Sequence, residues 1–174
     1  IRGANDPLFE AVTLLSSRER KPTAPTVPDS GQLKELPLVE VPARGASTTS
    51  SPDLLAVFLS GDGGWVGLDR EVGEAIASHG IPVVGLNSLR YFWTLRTPEE
   101  TAQDVAAIIR HYLAVWNKEK VILIGYSFGA DVLPFVANRL PEDLRARIDP
   151  VALIGPSRSA QIELHLSDWF QGTS

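Results

Sequence analysis

Gly125-Tyr126-Ser127-Phe128-Gly129 sets a serine between two glycines, each two residues away. That spacing suits a nucleophilic serine on a tight strand-to-helix turn, where crowding leaves almost no room for flanking side chains. Such a turn lifts Ser127 Oγ above the end of a sheet and sets it at a helix N-terminus. The N–H of Phe128 then becomes a donor to the oxyanion of an acyl-transfer intermediate. The same five residues also fit a purely structural glycine turn. A second glycine-rich stretch, Ser60-Gly61-Asp62-Gly63-Gly64-Trp65, fits the second oxyanion donor, with Gly63 or Gly64 as the expected residue. Asp62 has three readings there: helix cap, loop brace, or contact for a cationic part of a substrate. No Lys-Ser or Lys-Thr follows these glycines, which speaks against a nucleotide P-loop. Arg90-Tyr91-Phe92-Trp93 reads either as the wall of an apolar pocket, with Arg90 for a phosphate or carboxylate, or as a plug sealing the core. Trp65 fits core or rim.

These residues need a scaffold, and the pattern from residue 54 onward supplies one. Leu54–Leu59, Ile81–Leu86, Val121–Ile124 and Val151–Ile154 are apolar runs of strand length. A fifth, short strand is expected at Leu38–Val41. Leu68, Val72, Ala75, Ile76 and His79 fall at helical spacing, and Gly80 stands at the expected stop. Thr97-Pro98-Glu99-Glu100 starts another helix with a capping threonine, proline in the first turn and glutamate three residues after the cap. Further helices are expected over 128–139, with Pro134 as a kink, and over 141–148. Strands apolar throughout, alternating with amphipathic helices, predict a mostly parallel sheet covered on both faces, a three-layer α/β sandwich. Residues 1–36 read as an extension or linker with a short helix, and 37–174 as the N-terminal portion of the catalytic domain.

A serine nucleophile needs a base and an acid to orient it. The chain has three histidines, of which only His165 follows the serine. Asp168 lies three residues beyond it, too close to come from a separate strand end. Asp104 and Asp131 read as structural carboxylates. The expectation is therefore that the strands bearing the acid and the histidine lie beyond Ser174, with a retained C-terminal fragment or a second copy covering the sheet edge.

Composition narrows the function classes. The 174 residues carry 21 acidic and 16 basic side chains, a formal charge of −5, which argues against a nucleic-acid partner. The absence of cysteine removes thiol nucleophiles and Cys-based metal sites. No cofactor and no metal are expected.

Three blocks together, residues 58–65, 85–93 and 124–134, with Glu163–Trp169 after the fourth strong strand, resemble the bacterial virulence protein VirJ/AcvB family. The resemblance implies an α/β-hydrolase domain in the periplasm, linked to virulence and type IV secretion. It implies Ser127 as nucleophile and hydrolysis of the aminoacyl ester of lysyl-phosphatidylglycerol. The partners it implies are that aminoacylated phospholipid at the membrane surface and secretion-system proteins. Asp62, Trp65, Arg90, Tyr91, Phe92 and Trp93 are the candidate substrate contacts. Asn87 departs from the aspartate expected in many relatives. A non-catalytic periplasmic binding or assembly factor is the alternative.

Overall fold

The computed structural model describes residues 33–44 and 53–156. Their elements are β1 (Leu38–Val41), β2 (Leu54–Leu59), α1 (Leu68–Ser78), β3 (Val83–Leu86), α2 (Ser88–Tyr91), α3 (Pro98–Val115), β4 (Lys120–Tyr126), α4 (Phe128–Ala137), α5 (Glu142–Arg145) and β5 (Ile148–Ile154). The strand order is β1-β3-β2-β4-β5, with β1 antiparallel to β3 and every other neighbour parallel. The described residues form a three-layer α/β sandwich whose mostly parallel sheet brings the C-terminal ends of β2, β3 and β4 together on one side.

Two faces of the sheet explain why β2 is apolar at every position. Leu55, Val57 and Leu59 join the core beneath α3 and α4, whereas Ala56 and Phe58 pack on the other face with Ala77 of α1. Alternate side chains point to opposite faces, so a strand covered on both sides has no position for a polar residue. The helices are set by local chemistry. Thr97 Oγ1 accepts the Glu100 N–H and Glu100 Oε2 accepts the Thr97 N–H, the reciprocal cap expected at α3. Gly80, with φ of 82°, follows the end of α1 as its stop. Pro134 lies inside α4, which runs through it to Ala137.

One expectation fails at the margin. Cover on both faces was expected of every strand, yet β5 leaves Val151 44% and Leu153 42% exposed. It has β4 on one side, and among the described residues no strand pairs with its other side. The expected N-terminal extension and the 162–169 segment with His165 and Asp168 fall almost wholly outside the described residues.

Candidate active site

Ser127 sits between β4 and α4 with φ of 50° and ψ of −118°. A non-glycine residue at positive φ costs about 1–3 kcal/mol, so the surroundings must impose it. They do so from three sides. The Ser127 N–H donates to the Ile154 carbonyl at the end of β5, 2.8 Å away, and the Ser127 carbonyl accepts the Ala130 and Asp131 amides of α4. The glycines do the rest: a Cβ on Gly125 would lie 2.5 Å from the Gly129 carbonyl oxygen. One on Gly129 would collide with the Leu59 carbonyl. The crowding inferred from the five-residue motif is therefore backbone against backbone, which no rotamer change relieves. Ser127 itself remains half-exposed.

The loop after β2 runs beside this turn. A Cβ on Gly61 would touch the Tyr126 ring at 3.2 Å and Ser127 Cβ at 3.6 Å. Three anchors hold the loop. Ser60, fully buried, accepts the Ser88 N–H on its Oγ at 2.9 Å and donates to the Gly61 carbonyl. Asp69 Oδ1 accepts the Gly61 N–H at 2.9 Å. Trp65 lays its indole across Gly85 and Gly73, edge-to-face with Phe58 at 5.2 Å, where any side chain at Gly85 would overlap the ring. Burial raises the Asp69 carboxyl above its ordinary range, against the lowering effect of the Gly61 hydrogen bond. Asp69 was not singled out in the sequence because it sits among helix residues; its signal was a carboxylate in the first turn of α1.

This wiring revises the second oxyanion donor. The Gly64 N–H is committed to the Gly61 carbonyl at 3.0 Å and the Gly61 N–H to Asp69, so neither is available. Among the described residues, the Asp62 and Gly63 amides have no acceptor. Phe128 opens α4, so its N–H has no acceptor within the helix. The bracing role open to Asp62 belongs to Asp69, and Asp62 stands half-exposed in the loop.

The aromatic block divides. Tyr91 and Phe92 are buried, 2% and 0% exposed, so they seal the core and do not wall a pocket. Tyr91 Oη donates to Asp104 Oδ2 at 2.6 Å, and Phe92 packs edge-to-face on both Tyr91 and Phe128. Burial first, then the Asp104 bond, pushes the Tyr91 phenol well above its ordinary range. Trp65 is half-buried, its ring packed against the core beneath α1. Arg90 and Trp93 are exposed. Asn87 caps α2, its Oδ1 accepting the Arg90 N–H at 3.2 Å, a task an aspartate performs equally.

Two histidines are described, and neither reaches the serine's end of the sheet. His79 closes α1, its Nδ1 2.8 Å from the Ala75 carbonyl. His111 lies late in α3. A groove of about 540 Å³ lies along α3, lined by Glu99, Gln103, Arg110, Arg139 and Pro141 among others, none of them from the elbow. Among the described residues no group of three or more His, Asp or Glu side chains could hold a metal ion.

Solved structures similar to this chain include the siderophore hydrolase EstB from Aspergillus fumigatus, with 19% identity and a TM-score of 0.42 over 66% of this chain and 37% of that one. Proline iminopeptidase from Mycobacterium smegmatis gives 17% identity and 0.45 over 70% and 40%. DphMB1 gives 21% identity and 0.47 over 92% and 60%. The chain thus spans between 37% and 60% of the length of these three proteins. No curated protein matches it. Residues 53–173, which include the elbow, its partner loop and the aromatic block, match the family model described as bacterial virulence protein (VirJ), and the chain belongs to that family.

Proposed function

We propose that this chain carries the nucleophile of a serine esterase. Its substrate is the aminoacyl ester of lysyl-phosphatidylglycerol, and its place is the periplasm, in connection with virulence and type IV secretion. The observation that carries the reading is the Ser127 backbone, held at positive φ between two glycines that backbone contacts alone require. Ser127 Oγ attacks the ester carbonyl, giving a lysyl-serine ester and releasing the glycerol hydroxyl of phosphatidylglycerol; water then hydrolyses that ester to free lysine. The Phe128 amide, with Asp62 or Gly63, holds the oxyanion in both steps. The base that takes the Ser127 proton comes from outside the described residues. Half-exposed Asp62 faces the lysyl ammonium and exposed Arg90 the phosphate, a pairing of charges that fits this headgroup.

Labelling with a fluorophosphonate, followed by peptide mapping, tests the nucleophile. An adduct on Ser127 that Ser127→Ala abolishes is the expected result. Lysine release from the lipid by the full-length protein tests the substrate. Undiminished biological function in a folded Ser127→Ala protein would sink the enzyme and favour a binding or assembly factor.

A further inference from the structure

The loops after β2 and β3 leave the same end of the sheet, and both expose large apolar side chains. Val66 in the first is 61% exposed and Leu68, which opens α1 directly after it, 43%; Trp93 and Leu95, between α2 and α3, are 60% and 62% exposed. The two loops are tied together by the Ser60–Ser88 hydrogen bond, and they run so close that a Cβ on Gly64 would meet Asn87 and Leu89. The four side chains thus belong to two adjoining segments at the end of the sheet that carries the serine turn, and their common location sets them apart from isolated exposed residues.

The charged neighbours of Trp93 and Leu95 are as telling, whereas Val66 and Leu68 lie between Asp62 and Glu71. From Asn87 to Pro98 the chain has two arginines, Arg90 and Arg96, and no carboxylate. Arg90 is exposed, and Arg96 stacks over the Tyr91 ring at 5.1 Å. The first carboxylates beyond this stretch are engaged, Glu99 with Arg139 and Glu100 with Thr97. A protein with a formal charge of −5 therefore presents a locally cationic, tryptophan-bearing loop. Tryptophan and arginine beside aliphatic side chains suit the headgroup boundary of a bilayer, where an apolar body enters the acyl region and the polar end stays wet. Tyr91 and Phe92, fixed in the core, give the loop a rigid base.

We propose that Trp93 and Leu95, with Val66 and Leu68 alongside, form a docking surface for an anionic lipid bilayer, and that Arg90 supplies its charge contact. The docking stands on the exposed side chains and the charge pattern; that it serves catalysis on a lipid rests on the function proposed above. It would bring Ser127 to an ester at the headgroup level without extracting the lipid.

Flotation with vesicles tests this in the Ser127→Ala protein, so that turnover plays no part. Vesicles of equal parts phosphatidylethanolamine and phosphatidylglycerol are compared with pure phosphatidylcholine. The expected result is binding to the first, weakened about tenfold or more by Trp93→Ser/Leu95→Ser. Arg90→Gln weakens it about fivefold at low salt and little at high salt. Val66→Ser/Leu68→Ser is the second variant, and all are checked for folding by circular dichroism. Failure of the parent to float with anionic vesicles overturns the proposal, as does equal binding by parent and variants. A dimer in lipid-free solution that Trp93→Ser/Leu95→Ser dissolves also overturns it, assigning the patch to a second copy. Absence of lysine release by the protein with Ser127 intact, vesicle binding being retained, would count against the function above and leave the docking surface standing.

Discussion

β4 and β5 are neighbouring parallel strands of seven residues each, and both are rich in aliphatic side chains. Their fates differ. Val121, Leu123 and Ile124 of β4 are at most 4% exposed, with β2 on one side and helices on the faces. In β5, Val151 and Leu153 are open to solvent, and the pairing skips a residue between Val121–Ile148 and Leu123–Val151, so that Asp149 and Pro150 fall in a bulge. Among the described residues β5 is the last strand of the sheet, and a bulge, a proline without an N–H and a carboxylate all interrupt its ladder. Composition makes a strand; neighbours decide whether it is core.

The comparison breaks most readily at glycine. Gly129→Ala drives a Cβ into the Leu59 backbone and is expected to cost upwards of about 4 kcal/mol, or to prevent folding. Gly155→Ala, just past β5, meets nothing within 4 Å and bears only its positive φ, about 1–2 kcal/mol. Denaturant midpoints of the two variants should differ accordingly; similar midpoints would mean that the elbow is not the stiffer region. Next in size, Leu123→Ala should cost about 2–5 kcal/mol. Leu153→Ala should cost less than about 1 kcal/mol, because Leu153 is already 42% exposed.

Tyr91→Phe removes the hydrogen bond to Asp104 and should cost about 1.5–3 kcal/mol at neutral pH. It also has a pH signature. The folded phenol titrates above its unfolded value, so its contribution is complete below about pH 10 and is lost as the pH rises through the folded pKa. Tyr91→Phe should flatten that alkaline limb in melts followed by circular dichroism, and a limb of unchanged slope would assign it elsewhere. The smallest effect belongs to Asp69. Its raised pKa means stability fully present below pH 3.8 and lost as the pH climbs through the folded pKa. Asp69→Asn keeps an oxygen for the Gly61 N–H and should remove that acid-side slope while leaving the loop in place.

What was legible in the sequence was what local geometry dictates. The serine turn followed from two glycines at fixed spacing, and the Thr97–Glu100 cap from four adjacent residues. The choice between pocket wall and core for Tyr91 and Phe92 was not legible, because it depends on Asp104 and Phe128, which lie far along the chain. The Gly64 amide failed as a donor for a similar reason. Glycine content shows that a backbone can face a ligand, but not which of its amides the loop has already used. Asp69 was hidden because a carboxylate in a first helical turn is ordinary until its partner, eight residues earlier, is seen.

The hydrogen bond from the Ser127 amide to the Ile154 carbonyl has a consequence for the order of events at the ribosome. The serine leaves the exit tunnel before the strand that tethers it has been made. Until β5 docks on β4, the turn lacks one of the bonds that hold its backbone at positive φ, and the nascent chain can relax into commoner geometry. The serine is therefore cocked late, by a strand that follows it in the chain.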